Sequence, residues 1–178
     1  MARTVPVAVT ESPGLFVTSA TWNAQVRDFN NFALGPPVFW GYQSSAQSIP
    51  NANAMTALTM DTELLDPDGG HSTVTNTSRY TPTVAGLYFV AGNAGWVANT
   101  AGDRRIQVGL NGGAVIGSGA SMDPTQAVLH GIQTTSFVTC NGTTDYIEIM
   151  CAHSSTSALS TTVGGLFAPS MRVFWISR

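Results

Sequence analysis

Three histidines, His71, His130 and His153, are the side chains best suited to acid–base or metal chemistry in this sequence. No two of them have the i, i+4 spacing that places a pair of imidazoles on one helix face. Ser118 lies between two glycines, but the G-x-S-x-G pattern of a nucleophile turn is absent. No glycine-rich loop of the kind that binds phosphate precedes a predicted helix. We therefore predict no catalytic residues, no cofactor, no metal centre and no enzymatic activity.

One acidic cluster offers an alternative chemistry. It contains Asp61, Glu63, Asp66 and Asp68, and Gly69 follows. Asp66 and Asp68 resemble part of a calcium loop, although the bidentate glutamate that closes such a loop is missing. Short turns of this composition form without metal, because aspartate accepts hydrogen bonds from nearby backbone amides. We expect a solvated turn, with calcium binding as the alternative.

The two cysteines are not predicted to form a disulfide. If residues 141–144 form a hairpin loop, Cys140 lies beside the turn and Cys151 at the far end of the returning strand. Six residues at about 3.3 Å each exceed the roughly 7 Å between Cα atoms that a disulfide allows. Both cysteines are expected to be small apolar strand residues, which suits a reducing cytoplasm.

Composition excludes two classes of partner. Only 10% of the 178 residues are charged and the net charge is −3, so no basic patch is available to neutralise phosphates. We therefore expect no nucleic-acid binding. No apolar run reaches the roughly 20 residues that a transmembrane helix needs, and residues 1–17 lack the apolar core of a signal peptide. We expect neither membrane insertion nor export.

Residues 1–37 are predicted to form an extended arm and one short helix. In the arm, Val5, Val7 and Val9 alternate with other residues, as addition to a sheet edge requires. In residues 18–34, an apolar stripe at helical spacing contains Trp22, Val26, Phe29 and Phe32 or Ala33. This stripe can pack on the chain's own sandwich or against two further copies. Thr18 or its neighbours can cap the helix, and residues 35–37 (GPP) end it.

Residues 38–178 are predicted to form an all-β, antiparallel jelly-roll sandwich. Short apolar segments recur between glycine- and asparagine-rich turns, and Asn111-Gly112 and Asn141-Gly142 are hairpin signals. The predicted strands are 38–43, 55–60, 62–65, 73–80, 86–97, 104–110, 114–118, 127–139, 145–152 and 171–177.

Three predicted strands, within residues 38–42, 86–90 and 173–176, are apolar on both faces. In the second of them, Leu87 and Phe89 point one way and Tyr88 and Val90 the other. One face of each strand can pack into the sandwich core. The other face remains apolar and must pack against something else. The sequence therefore predicts a subunit interface.

The same region resembles the C1q/tumour-necrosis-factor-like jelly roll. Residues 80–89 (YTPTVAGLYF) resemble the family's signature of an aromatic residue and a proline, then a glycine followed by Tyr and Phe. Residues 108–112 (VGLNG) are similar to its hydrophobic strand ending in Asn-Gly, and residues 137–147 resemble its segment around Gly-Asp. The resemblance covers about residues 38–177. It implies a homotrimer with its inner sheets at the threefold axis, and we predict an interface containing Trp40, Tyr42, Tyr88, Phe174 and Trp175.

A second resemblance concerns the segment before the sandwich. Residues 19–37 (SATWNAQVRDFNNFALGPP) resemble a lead-in segment on structural proteins of tailed bacteriophages, in which a helix ending in Pro-Pro precedes a β domain. The absence of lysine is compatible with a host of GC-rich genome. The resemblance implies a virion protein.

The expected protein is thus a non-enzymatic bacteriophage virion component, assembled in the host cytoplasm. It is a homotrimeric jelly roll on the particle surface, either a capsid decoration or a minor tail protein. Residues 1–37 form a docking unit for other virion proteins, the major capsid or tail proteins, and residues 38–178 form the jelly-roll domain. Docking is assigned to Val5, Val7, Val9, Trp22, Val26 and Phe29. The alternative is an adhesin that binds a host receptor or surface glycan through loops 61–72, 98–103 and 153–165.

Overall fold

The computed structural model of the chain describes residues 4–10, 12–14 and 16–178. Residues 4–10 contain neither helix nor strand. One helical segment follows, in which Ser19–Trp22 and Asp28–Leu34 are α-helical and Asn23–Arg27 forms a π-helical turn between them. We call these residues the N-terminal helix. None of the described helices is long and apolar enough to cross a membrane.

The predicted helix cap is confirmed. The Thr18 hydroxyl accepts a hydrogen bond from the backbone N–H of Thr21 at 3.1 Å, which satisfies one donor of the first turn. The helix ends at Leu34 and the first strand begins at Val38. The division into a docking unit and a jelly-roll domain at residue 37 stays a prediction.

Twelve strands in the described residues form two main antiparallel sheets and a two-stranded ribbon. The first sheet has the order β4-β1-β12-β5-β9, and the second has the order β3-β10-β6-β7, with β8 also pairing with β6. Strands β2 and β11 form the ribbon. The strands are β1 Val38–Tyr42, β2 Ser48–Ile49, β3 Thr56–Ala57, β4 Thr62–Leu65, β5 Gly86–Trp96, β6 Arg104–Leu110, β7 Gly113–Ala114, β8 Ala120–Met122, β9 His130–Cys140, β10 Ile147–His153, β11 Leu159–Ser160 and β12 Ser170–Ser177.

The core lies between the two main sheets. Tyr88 and Val173 enter it from the first sheet, and Ile106 and Ile149 enter it from the second. Each such side chain contributes roughly 1.5–3 kcal/mol by leaving water. The all-β antiparallel sandwich predicted from the strand spacing is confirmed.

Of the two hairpin predictions, one is confirmed and one is wrong. Leu110 pairs with Gly113, and Asn111 and Gly112 both have positive φ, as a type I′ turn requires. Residues 141–146 instead connect different sheets, because β9 pairs with β5 whereas β10 pairs with β6. There the Asn141 side chain accepts hydrogen bonds from three backbone amides, which stabilises a crossover loop.

Several strand predictions also differ from the structure. Residues 73–78 form bends and turns, and within residues 73–80 only Tyr80 makes a β-bridge, to Ile147. Residues 115–118 leave the ladder after β7 because the Ser118 hydroxyl accepts from the Val108 N–H and donates to the Val115 carbonyl. The short strands β2, β8 and β11 were not predicted. Two or three residues are too few to show a period-two pattern.

Both cysteines are buried free thiols, as predicted. Cys140 ends a strand of the first sheet and Cys151 belongs to the second. Burial raises the pKa of Cys140 to about 12 and that of Cys151 to about 12. Burial likewise raises the pKa of Tyr80 and Tyr88.

These raised pKa values predict instability in alkali. Well below the ordinary thiol pKa of about 8.5, both thiols are protonated in the folded and the unfolded state, so the protein keeps its full stability. Between about 8.5 and 12 mainly the unfolded thiols lose protons, and each then lowers the free energy of unfolding by up to about 1.4 kcal/mol per pH unit. Urea midpoints between pH 8 and 10.5 should therefore fall. The Cys140→Ala/Cys151→Ala variant should show a smaller slope, and an unchanged slope would contradict the assignment to these thiols.

Candidate interaction face and adjoining pocket

The side chains of the first sheet that point away from the core form what we call the outer face. Strand pairing aligns Phe174 with Phe89 and Phe89 with Phe137 across three neighbouring strands. Phe89 and Phe137 contact each other with ring centroids 5.6 Å apart. Phe137 is 59% exposed and Phe174 is 42% exposed. We call these three phenylalanines the aromatic row.

The aromatic row lies toward the end of the sandwich where β1 begins and β12 ends, which we call the lower end. Leu87 and Ile176 extend the apolar surface there, and Ile176 is exposed. A contiguous apolar patch on a folded chain marks a surface that another molecule covers. The prediction that Leu87 and Phe89 lie on the face opposite to Tyr88 and Val90 is confirmed by their burial pattern.

The upper part of the outer face is more polar. Trp40 pairs with Arg172, and the guanidinium carbon lies 4.9 Å from the centroid of the Trp40 ring. Tyr42 follows on the same face of β1. Together with residues 164–166 and Ala168 these side chains line an open pocket of about 360 Å³. The sequence-predicted interface residues therefore separate, with Phe174 in the aromatic row and Trp40 and Tyr42 at the pocket.

Tyr88 does not lie on the outer face, and its predicted interface role is wrong. Its side chain is fully buried in the core, and its hydroxyl donates a 2.6 Å hydrogen bond to the Val84 carbonyl. Because strand side chains alternate, Tyr88 points inward where Phe89 points outward. A neighbouring copy cannot reach this ring.

Trp175 is also absent from the outer face. It pairs with Tyr88 and packs against the margin of the core. Phe32 of the N-terminal helix meets its ring edge to face at 4.9 Å, and the indole N–H donates to the Ala85 carbonyl at 3.3 Å. Trp175 therefore attaches the helix to the lower end of its own chain, which is a different role from the predicted interface.

The docking residues are largely accessible. Trp22 is 57% exposed and Phe29 is 56% exposed, and Phe32 is the only buried side chain of residues 19–34. Trp22 and Phe29 therefore do not pack on the chain's own sandwich, whereas Phe32 of the same stripe packs on Trp175. Val26 is half-buried.

The arm also leaves apolar side chains in solvent. Val7 and Val9 are exposed and Val5 is half-buried. The backbone N–H of Val9 donates to the Gln25 side-chain carbonyl at 3.2 Å, so the arm touches the helix. No described residue of the arm pairs with a sheet edge of its own chain.

The three histidines occupy separate structural positions. The buried His71 ring has its Nδ1 2.7 Å from a Glu63 carboxylate oxygen and its Nε2 3.0 Å from the Thr77 carbonyl, which ties β4 to the following loop. His153 is buried, with its Nε2 2.9 Å from the Ile49 carbonyl. His130 contacts the Gln126 carbonyl at 2.9 Å. Within the described residues no group of His, Cys, Asp and Glu has the geometry of a metal site.

In the acidic turn, the Asp66 carboxylate binds backbone N–H groups of the turn itself. Asp66 accepts hydrogen bonds from the N–H groups of Gly70 at 3.1 Å and His71 at 2.9 Å. Asp66 therefore satisfies backbone donors of its own turn, as expected. The turn is not fully solvated, because Asp68 is buried. Glu63 is engaged by His71, and Asp61 accepts from the backbone of Ser44.

We predict that calcium does not stabilise the protein. A ligand that binds only the native state at a hundred times its dissociation constant adds about 2.7 kcal/mol. The melting temperature should therefore be the same in chelator and in excess calcium. Asp66→Asn, which loses one backbone hydrogen bond, should cost about 1 kcal/mol under both conditions. A rise of several degrees with calcium that Asp66→Asn abolishes would establish a calcium loop.

Two arginines, Arg104 and Arg172, have structural positions that the sequence did not predict. Arg104 is fully buried, and its guanidinium donates to the backbone carbonyls of Asn99, Ala101 and Asp103, which shapes the loop between β5 and β6. Burial lowers its pKa. Arg172 belongs to the outer face, a position readable from its i, i+2 relation to Phe174 once β12 is recognised as a strand.

Comparison with known proteins identifies the fold. No protein-family model matches the chain, and no curated protein matches it by sequence. The globular domain of zebrafish complement 1qA protein has a similar structure, with a TM-score of 0.54, 14% identity, and coverage of 80% of this chain and 98% of that one. Murine APRIL at pH 5.0 gives a TM-score of 0.57 and 8% identity, covering 78% of this chain and 98% of that one. The fold is therefore a C1q/TNF-like jelly roll, preceded by an arm and a short helix.

Proposed function

We propose that the chain is a homotrimer that associates through its outer face. The observation that carries this proposal is the aromatic row, three phenylalanines aligned on neighbouring strands with Phe137 and Phe174 exposed in the single chain. A threefold ring is built from heterologous contacts, and burial of this row removes apolar surface from water in each of them. The resemblance to the C1q/TNF-like family implies the same arrangement.

The trimer is tested by measuring the mass of the intact protein in solution. Light scattering at micromolar concentration should give three times the chain mass of 18.6 kDa. A stable monomer under these conditions would remove the proposal.

The trimer serves as a non-enzymatic component of a bacteriophage virion, as a capsid decoration or a minor tail protein. The support is the resemblance of residues 19–37 to the lead-in of phage structural proteins, together with the accessible Trp22 and Phe29 of the N-terminal helix. The helix and the arm project from the lower end and dock on the major capsid or tail proteins. Assembly takes place in the host cytoplasm.

Mass spectrometry of purified particles tests this role. The chain should be present at constant stoichiometry in particles, and separate analysis of capsids and tails assigns it to one of them. Its absence from both would contradict a virion function.

A second candidate function is adhesion to a host-surface glycan. The pocket on the outer face favours it, because Leu64 of the predicted loop 61–72 and Gly164 of the predicted loop 153–165 both line this pocket. Saturable binding in a glycan screen would support adhesion. The absence of binding would leave the structural role as the only candidate function.

A further inference from the structure

The open pocket on the outer face lies within the surface that we propose as the trimer interface. Its loop wall is held in place, because the Asn93 side-chain amide donates to the carbonyls of Phe167 at 3.1 Å and Ala168 at 2.9 Å. Interface cores are packed as densely as protein interiors, so association through this face has to fill the pocket. The lining combines apolar side chains with one guanidinium, from Trp40, Leu64, Leu166 and Arg172.

Arg172 needs a partner from outside its own chain when this face is buried. Its guanidinium carbon lies 4.9 Å from the centroid of the Trp40 ring, and it forms no hydrogen bond or ion pair with the described residues. Burial of a cation without a partner is costly. The neighbouring copy must therefore bring an acceptor, and a carboxylate suits it best, because the edge of a guanidinium matches two carboxylate oxygens.

Asp123 is the matching carboxylate. It is exposed, and within the described part of the chain it has no hydrogen bond or ion pair. The other described acidic side chains are buried, hydrogen-bonded to nearby backbone groups, or paired with basic side chains of their own chain. Glu11 lies outside the described residues. The acidic side chains paired with basic ones are Asp28, Glu63, Asp103 and Glu148.

Asp123 begins the loop between β8 and β9, residues 123–129, which we call the β8–β9 loop. Strand β9 is an edge strand of the first sheet, and its first residue, His130, pairs with the last residue of β5. The loop therefore lies beside this sheet edge, at the end of the sandwich opposite to the lower end. Val128 is 49% exposed and Leu129 is 48% exposed. The loop thus offers one carboxylate and two apolar side chains, where the pocket offers one guanidinium and apolar walls.

A threefold ring brings two different surfaces of the chain together at each of its contacts. The pocket and the β8–β9 loop are different surfaces of opposite charge. We propose that the β8–β9 loop of each copy inserts into the outer-face pocket of the next copy. Asp123 then pairs with Arg172, and Val128 and Leu129 pack against the apolar wall. This inference rests on the proposed homotrimer, and it closes the pocket to a glycan in the assembled protein.

Exchange of the two charges tests this contact. Arg172→Asp and Asp123→Arg each place like charges opposite each other, so each should raise the subunit dissociation constant at least about tenfold. The double variant Arg172→Asp/Asp123→Arg restores opposite charges and should return the constant to within about threefold of the original. Sedimentation of the intact protein across a dilution series measures all three. Weakening by both single variants without recovery in the double variant would overturn the pairing.

A matched control uses the arginine at the chain end. Arg178 is exposed and does not line the pocket. Arg178→Asp alone should leave the dissociation constant unchanged, and Arg178→Asp/Asp123→Arg should remain as weak as Asp123→Arg. Val128→Ser/Leu129→Ser tests the apolar part of the loop and should weaken the trimer at least about tenfold by removing apolar burial. Unchanged affinity of this variant would overturn the insertion of the loop.

Failure of this inference differs from failure of the trimer proposal. If the unaltered protein is a monomer by light scattering, the trimer and the inserted loop are both wrong. If Phe174→Asp dissociates the trimer while Arg172→Asp and Asp123→Arg leave its affinity unchanged, the outer-face trimer stands and the loop contact is wrong. A cooperative melting transition in every variant shows that lost association does not reflect an unfolded chain.

Discussion

Phe174→Asp is expected to convert the trimer into folded monomers. Burial of a phenylalanine contributes roughly 1.5–3 kcal/mol, and the substitution recurs in all three copies. It also places an unpaired carboxylate in an apolar contact, which adds desolvation cost. We expect the subunit dissociation constant to rise at least about a hundredfold, equivalent to about 2.8 kcal/mol. Sedimentation or light scattering across a dilution series measures it.

Two controls separate dissociation from unfolding. Ile116→Asp introduces the same charge at a side chain that is 99% exposed and lies after β7, away from the outer face, and should leave the trimer intact. Tyr88→Asp places the charge in the core and should unfold the chain. Phe174→Asp should instead keep a cooperative melting transition. A Phe174→Asp trimer of unchanged affinity would show that the interface lies elsewhere.

Deletion of residues 1–17 is expected to leave a soluble trimer and to abolish its incorporation into particles. The described arm residues form no strand with their own sheets, and Val9 holds to the helix through one hydrogen bond. Loss of the arm should therefore cost the jelly roll little stability. Exposed Val7 and Val9 are suited to add to a neighbouring sheet edge or groove in the particle. Quantitative mass spectrometry of particles assembled with the truncated protein measures its occupancy.

A length-preserving variant distinguishes arm chemistry from arm length. Replacing Val5, Val7 and Val9 by serine should reduce occupancy as the deletion does, because the apolar contacts are lost. Trp22→Ser/Phe29→Ser tests the helix separately. Normal occupancy of the truncated protein would assign docking to the jelly roll, and a truncated protein that dissociates into monomers would show that the arm wraps its own trimer.

Local sequence patterns were sufficient where local geometry decides the structure. The Asn111-Gly112 turn was predictable because few residues adopt positive φ at two consecutive positions, and both do so here. Thr18 was predictable as a cap because a hydroxyl before an apolar helical stripe satisfies a free backbone donor. Asn141-Gly142 carried the same hairpin signal and gave a crossover, because the partner strands lie far away in sequence.

The candidate site was only partly predictable, because contacts between residues far apart in sequence decide which face of a strand is buried. Alternation in residues 86–90 placed Leu87 and Phe89 together and Tyr88 and Val90 together, but the pattern is symmetrical when both faces are apolar. Only packing of the second sheet decided that Tyr88 is inside. Arg172 gave no signal, because its position beside the Trp40 ring, with no carboxylate partner among the described residues, depends on strand pairing over long sequence distances.

The sequence by itself determined the all-β sandwich, the capped helix before it and the existence of strands with two apolar faces, since turn chemistry and side-chain alternation are local properties. The tertiary structure decided which aromatic residues face outward, that Trp175 attaches the helix, and that Trp40, Tyr42 and Arg172 meet at a pocket. These outcomes depend on strand register and sheet packing, including the shift in the register of β12 against β5 that falls between Trp175 and Ser177. Such long-range contacts are fixed only when the whole core assembles, because one residue of shift in a strand exchanges its two faces.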